Sequence, residues 1–273
     1  MKFGRFSTIA ILCMAGALAA SLYGCGSSNS LGPGANTIAY YRAFNGLVVS
    51  GAPSGGPIDI ALRTPSSQRV VTGLAEGTAS SYAQTPAGNG VNVYAFENGA
   101  VAQSLSGSAD LQPNTYYSLM VIGVYQSNGT VLNGQIVRLT DTTPTSQLQN
   151  SAGTATQYAA IRIFNGIPNG PTISITNDTT GTPADIPGFD GIAPATASGN
   201  ANTNGLTGGY LVLQAGTTYT FTVHNGGNTG QALLTIPNVT PTAGTAYTIV
   251  ITGSSLSADN VPISAKVLVD PLH

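Results

Sequence analysis

Thr218-Tyr219-Thr220-Phe221-Thr222-Val223-His224 sets a large apolar residue at every second position. Successive side chains of an extended chain leave on opposite faces, so this stretch predicts a strand with one face toward a core. The same alternation recurs at Ile58, Ile60 and Leu62, at Val91 and Val93, and at Tyr247, Ile249 and Ile251. Helical periodicity is nearly absent after residue 36. Gly, Asn, Pro and Asp gather between the alternating runs, where turns need backbone freedom or preset dihedrals. Many short strands spaced by such turns predict an all-β chain built of antiparallel β-sandwiches.

The chain also repeats itself, at a period longer than a solenoid's. Arg42-Ala43-Phe44-Asn45-Gly46 returns as Arg162-Ile163-Phe164-Asn165-Gly166, and Gly73-Leu74-Ala75 as Gly191-Ile192-Ala193. Thr78-Ala79-Ser80 returns as Thr196-Ala197-Ser198, Ala87-Gly88 as Ala215-Gly216, and Leu139-Thr140-Asp141 as Leu268-Val269-Asp270. Corresponding pieces in one order predict two copies of one domain, at 38–141 and 158–271, joined by a Thr-, Ser-, Gln- and Asn-rich linker at 142–157. The offset between copies is 191 − 73 = 118 before the Ala-Gly turn and 215 − 87 = 128 at it. The second copy therefore gains 128 − 118 = 10 residues between Ala197 and Ala215, and Gly199 to Gly205 reads as an exposed loop.

At the N-terminus, Lys2 and Arg5 precede an uncharged, mostly apolar run from Ile9 to Ala20. That profile is a secretory signal, too short for a comfortable transmembrane span. Leu22-Tyr23-Gly24-Cys25 resembles the lipobox of bacterial lipoproteins, in which the Cys is lipidated and the chain cleaved just before it. Leu22 and Gly24 stand at the recognition positions and Cys25 at the lipidation site. On this reading residues 1–24 are a lipoprotein signal peptide, and 25–37 are the lipidated Cys and a flexible tether rich in Gly, Ser and Asn. Ordinary cleavage after Ala17-Leu18-Ala19, with Cys25 left as a free thiol, is the alternative. The expected location is outside the cytoplasm, with a lipid anchor holding the protein to a membrane at the cell surface or periplasmic face.

Charged residues are 7% of the chain, against about 25% in ordinary soluble domains. Surface polarity must come from Thr, Ser, Asn and Gln. Without residues 1–24 the basic residues number 8 − 2 = 6 against ten acidic ones, which makes no basic patch and disfavours nucleic acid as a partner.

Catalytic chemistry has little to work with. Beyond residue 24 the His and Cys residues are His224, His273 and Cys25, too few for a zinc site. No Gly-x-Ser-x-Gly elbow and no Gly-rich loop leading into a helix occur. His224, at a strand end before Asn225-Gly226-Gly227, reads as solvated. Asp178, Asp185 and Asp190 share one Gly- and Pro-broken loop and are weak candidates for calcium, their spacing fitting no known calcium-loop pattern. Asp59 and Glu76 have no acidic counterparts at Ser174 and Pro194, which leaves a duplicated glycosidase pair unsupported. With no Trp in the chain, Tyr40, Tyr41, Tyr116, Tyr117 and Tyr219 read as core or half-buried rings. No catalytic residue, metal or cofactor is expected.

Gly73-Leu74-Ala75-Glu76-Gly77-Thr78-Ala79-Ser80-Ser81-Tyr82 and Pro86-Ala87-Gly88 resemble the central turn and strand of a bacterial surface domain, domain of unknown function 4397, which occurs as a tandem pair behind an export signal. Leu111-Gln112-Pro113-Asn114-Thr115-Tyr116-Tyr117 and Arg138-Leu139-Thr140-Asp141 resemble its later elements. Asn45 and Asn165 stand where that family commonly has a His. Ile58-Asp59-Ile60 keeps its apolar-Asp-apolar pattern, and Ile173-Ser174-Ile175 has lost the acid. The resemblance implies two tandem immunoglobulin-like sandwiches of about seven strands each, and no settled activity. The expected function is a non-enzymatic cell-envelope lipoprotein, a structural or adhesive module whose candidate partners are a cell-wall polymer, a glycan or another surface protein. The alternative is a carbohydrate- or small-ligand-binding receptor lipoprotein, whose mark would be a concave surface of Tyr and Asn in one copy.

Overall fold

A computed structural model describes residues 37–49, 56–64, 69–97, 105–125, 131–199, 209–254 and 261–272. The first half supplies strands β1 (Ile38–Val49), β2 (Ile58–Leu62), β3 (Val71–Leu74), β4 (Ala83–Pro86), β5 (Gly88–Glu97), β6 (Leu105–Leu111), β7 (Tyr116–Tyr125) and β8 (Val131–Thr140). They form two four-stranded sheets, in the orders β4-β1-β7-β8 and β3-β2-β5-β6. The second half supplies β9 (Tyr158–Asn165), β10 (Ile173–Asn177), β11 (Ala184–Asp185), β12 (Thr196–Ala197), β13 (Leu211–Gln214), β14 (Tyr219–Asn225), β15 (Ala232–Val239), β16 (Ala246–Thr252) and β17 (Ser264–Asp270). Their orders are β12-β9-β16-β17, with β13 also on β9, and β11-β10-β14-β15.

The alternation puts one face of each strand into a core. In the first half Ile58 and Ile60 of β2 and Val91 and Val93 of β5 meet Tyr41 of β1 and Leu119 and Val121 of β7. In the second, Ile173 and Ile175, with Phe221 and Val223, meet Ile161, Ile249 and Ile251. Each half is thus a pair of sheets closed over its own apolar layer, an all-β sandwich arrangement.

Antiparallel pairing dominates, and each half adds one parallel pair: β1 with β7, and β9 with β16. The expectation of wholly antiparallel sheets is corrected there. Parallel neighbours need a long crossover, and the chain makes it by running through the opposite sheet in between. The halves also share their registers. Tyr41 lies opposite Tyr117 on one side and Ala83 on the other; Ile161 lies opposite Tyr247 and Leu211.

Corresponding hydrogen bonds narrow the position of the extra residues in the second half. Ala43 N–H donates to Ser80 Oγ at 3.0 Å, as Ile163 N–H does to Ser198 Oγ at 2.9 Å. The insertion therefore falls between Ser198 and β13. The expected exposed loop, Gly199 to Gly205, lies outside the described residues from Asn200 on. Between the halves, the segment read as a linker contains a short helix, α1 (Thr145–Leu148). Leu148 is buried against Ala160, Tyr210 and Ala246.

A further apolar cluster joins the halves. Phe44, Met120, Ile122 and Leu139 pack with Phe164, Val250 and Leu268. Burying each Phe or Leu contributes about 1.5–3 kcal/mol.

Candidate functional site

The repeated Arg-x-Phe-Asn-Gly stretch is where the sequence concentrates polar side chains inside the fold. Along β1, Tyr41 and Ala43 face their own core, so Arg42 and Phe44 must face the other way. That direction is the other half. Arg42 donates from Nε to Ser118 Oγ at 2.8 Å, from Nη1 to the Val269 carbonyl at 2.8 Å, and from Nη2 to Asp270 Oδ1. Arg162 donates from Nε to Thr248 Oγ1 at 2.7 Å, from Nη1 to the Thr140 carbonyl at 2.9 Å, and from Nη2 to Asp141 Oδ1. Each arginine therefore pairs with the aspartate at the end of the last strand of the opposite half, Asp270 closing β17 and Asp141 just after β8.

The second carboxylate oxygens are satisfied in matching fashion. Asp141 Oδ2 accepts from Ser118 Oγ at 2.7 Å and from the Tyr82 hydroxyl. Asp270 Oδ2 accepts from Thr248 Oγ1 at 2.6 Å and from the Tyr210 hydroxyl at 2.8 Å. The Arg42 guanidinium carbon sits 5.2 Å from the Tyr82 ring centre, that of Arg162 4.8 Å from the Tyr210 ring centre. All four charged side chains are at most 5% exposed. Burial alone pushes the Asp141 carboxyl up, but Arg162 and Arg42 outweigh it and hold it below the ordinary carboxylate range. Burial, reinforced by Asp141, pushes the Tyr82 phenol well above its ordinary range, and it stays a donor.

The Asn of the repeated stretch is structural as well. Asn45 Nδ2 donates to the carbonyls of Gly56 at 3.1 Å and Leu74 at 2.9 Å, and its Oδ1 accepts from Leu47 N–H at 3.1 Å. Asn165 donates to the carbonyls of Pro171 and Ile192, both at 3.0 Å, and accepts from Ile167 N–H at 3.3 Å. Each side chain ties its strand to the residue leading into the next strand, Gly56 or Pro171, and to a second carbonyl farther along, of Leu74 or Ile192.

His224 departs from the solvated strand-end reading. It is 8% exposed, with Nδ1 3.0 Å from the Gly230 carbonyl and Nε2 3.0 Å from Thr176 Oγ1. Thr176 Oγ1 in turn donates to Asp178 Oδ1 at 2.7 Å, and Thr222 Oγ1 to Asp178 Oδ2 at 2.6 Å. The register that sets Thr176 opposite Thr222 on adjacent strands assembles this group. Asp178 reaches the histidine through the Thr176 hydroxyl.

The calcium candidates do not converge. Asp178 faces Thr176 and Thr222, whereas Asp185 and Asp190 are exposed. Among the described residues no three His, Cys, Asp or Glu side chains are grouped to hold a metal ion. Leu22, Gly24 and Cys25 lie outside the described residues, as does His273. No helix among the described residues is long and apolar enough to cross a membrane.

One concave feature was not foreseen at this place. Between β15 and β17 of the second half lies a cleft of about 280 Å³, walled by Ile161, Ile236, Tyr247, Ile249 and Val267, with Asn238 among the residues lining it. Val267 is 51% exposed on one wall.

No family model matches the chain, and no curated protein matches its sequence. Among solved structures, one similarity is to CBMbc, a family 26 carbohydrate-binding module of Amy13K from Eubacterium rectale in complex with maltoheptaose. Identity is 10%, coverage 86% of this chain and 98% of that one, and the TM-score 0.22. Another is to a candidate cell adhesion protein from Parabacteroides distasonis, at 9% identity, 86% and 100% coverage, and a TM-score of 0.20. TM-scores of this size assign neither fold nor function.

Proposed function

We propose that the chain is a non-enzymatic, exported surface module held to a membrane through Cys25, in which two tandem immunoglobulin-like sandwiches act as one stiff structural or adhesive body. What supports the stiffness is the reciprocal pairing of Arg42 with Asp270 and Arg162 with Asp141. The most polar part of the repeated sequence is thereby committed to joining the halves. A low-charge surface of Thr, Ser, Asn and Gln suits contact with polymers whose own charge varies.

The experiment is a binding screen of a chain beginning at residue 37 against cell-wall polymers, glycans and whole cells. At least one should retain it, and uniform silence would remove the adhesive part of the reading. Substituting Cys25→Ala in the full chain should release it from membranes; retention would remove the anchor.

A second reading, a receptor for a carbohydrate or small ligand, is favoured by one observation. A concave site containing Tyr247 and Asn238 exists in the second half, between strands whose first-half counterparts are in contact.

A further inference from the structure

We infer that the cleft between β15 and β17 binds a small uncharged aromatic ligand, a single ring of the phenol class. This rests on the receptor reading of the second half, not on the adhesive one. The first half carries the argument, because it shows what fills the same space when no ligand is needed. There β6 lies directly on β8: a Cβ placed on Gly107 would stand 3.2 Å from that of Ile136. Arg138 reaches from β8 to donate to the Asp110 carbonyl of β6, its guanidinium carbon 5.4 Å from the Tyr117 ring centre. The ring of Tyr41, 1% exposed, completes that core.

Strand registers identify the second-half counterparts. Tyr41 lies opposite Tyr117, and Ile161 opposite Tyr247. Arg138 lies opposite Leu119, and Val267 opposite Ile249. Ile136 lies opposite Val121, and Ala265 opposite Ile251. At all three positions the second-half residue is the smaller. On the facing edge the change runs the other way. Gly107 lies opposite Val93, whereas Ile236 lies opposite Phe221. Beyond Ile236 the strand takes one extra residue through Pro237 and Asn238, the latter at φ 60. A bulky side chain and a bulge hold β15 off β17, and the side chains that could have bridged them are cut back.

Two of the three positions, Ile161 and Val267, line the cleft, where the first half carries a phenol ring and a planar cation beside a tyrosine. Tyr247 is fixed in place by Thr242 N–H, which donates to its hydroxyl at 3.1 Å. Its ring can receive another ring in an offset or edge-on contact. Among the described residues no Asp, Glu, Lys, Arg or His lines the cleft, which disfavours a charged ligand on desolvation grounds. The Thr240 hydroxyl shares a hydrogen bond with Thr218 at 2.9 Å, and the Asn238 amide lining the cleft offers both a donor and an acceptor to a ligand hydroxyl. A cleft of about 280 Å³ lies just below the range of about 300–1,000 Å³ that takes drug-sized ligands. One substituted ring fits; an oligosaccharide does not.

The test is calorimetric titration of the mature chain with 4-ethylphenol and, separately, with a neutral hexasaccharide. The expected result is saturable 1:1 binding of 4-ethylphenol with Kd below about 1 mM and none of the sugar. Restoring the first-half residues with Ala265→Ile and Val267→Arg should weaken binding at least tenfold without lowering Tm. Val267→Phe, at an exposed position, should do the same if the double variant fails to fold. Arg138→Val in the first half should leave Kd unchanged. Binding that survives both cleft variants, or no saturation, overturns the proposal. Sugar binding abolished by Val267→Phe, with 4-ethylphenol silent, overturns the aromatic assignment while keeping a receptor; silence toward both ligands removes both from this cleft.

Discussion

Arg42 and Asp270 form a buried ion pair across 228 positions of sequence, joining the first strand of the first half to the end of the last strand of the second. Arg162 and Asp141 form its counterpart in the opposite direction. Because the pairs are buried, their weight lies in what happens when one member is lost. A buried pair contributes little net energy over an apolar substitute, but an orphaned buried charge is severely unfavourable.

Arg162→Met should therefore cost about 3–5 kcal/mol of unfolding free energy, since it strands the Asp141 charge. Arg162→Met combined with Asp141→Leu should cost less than the single change. Urea denaturation of the two singles and the double, read as a mutant cycle, gives the coupling. A double variant worse than the sum of the singles would contradict the pairing.

Asp141 also sets an acid limit. Its carboxyl is held below its ordinary value, so the folded state favours the ionised form more than the unfolded state does. That stability is fully present above the ordinary carboxylate pKa and is lost as pH falls toward and through the lowered folded value. Thermal melts should fall steeply below about pH 4. Asp141→Asn should be less stable at neutral pH and flatter in acid.

Glu97 has the opposite sign. It is buried at the end of β5, and burial pushes its carboxyl up to about 7, against the pull of a hydrogen bond with Tyr125. Between the ordinary value of 4.5 and about 7 the folded state keeps a proton that the unfolded state releases. Stability therefore declines as pH rises through that window. Glu97→Gln should remove the decline and raise Tm most above pH 7; an unchanged pH profile would exclude Glu97 as its source.

Asn165→Asp should destabilise the chain by about 1–3 kcal/mol. It would turn a carboxylate oxygen toward the carbonyls of Pro171 and Ile192, where an amide now donates to both. Asn45→Asp should behave alike, and guanidinium denaturation of each checks the match.

Much of the strand layout was legible because alternation is local: residues 218–224 alone place β14 to within a residue. The repeated Arg-x-Phe-Asn-Gly was equally visible, but its meaning was not. Its arginines meet partners in the other half, and no local pattern announces a contact over such separations. His224 misled for a related reason. A position beside Asn225-Gly226-Gly227 suggests solvent, whereas the neighbouring strand brings Thr176 and Asp178 over it. The cleft was written in the sequence as a difference between copies, Arg138 against Val267. The repeat itself sets these two residues in line, one place before the matched Leu139-Thr140-Asp141 and Leu268-Val269-Asp270, but only the folded strands show that the exchange faces a cleft.

The patch that carries Arg42, Phe44 and Asp141 meets one carrying Arg162, Phe164 and Asp270, so the surface is complementary to a copy of itself. Such a surface on separate chains makes a two-fold dimer whose assembly depends on concentration. Placed twice on one chain, it finds its mate at an effective concentration set by the connecting segment alone. The two halves stay together at any dilution.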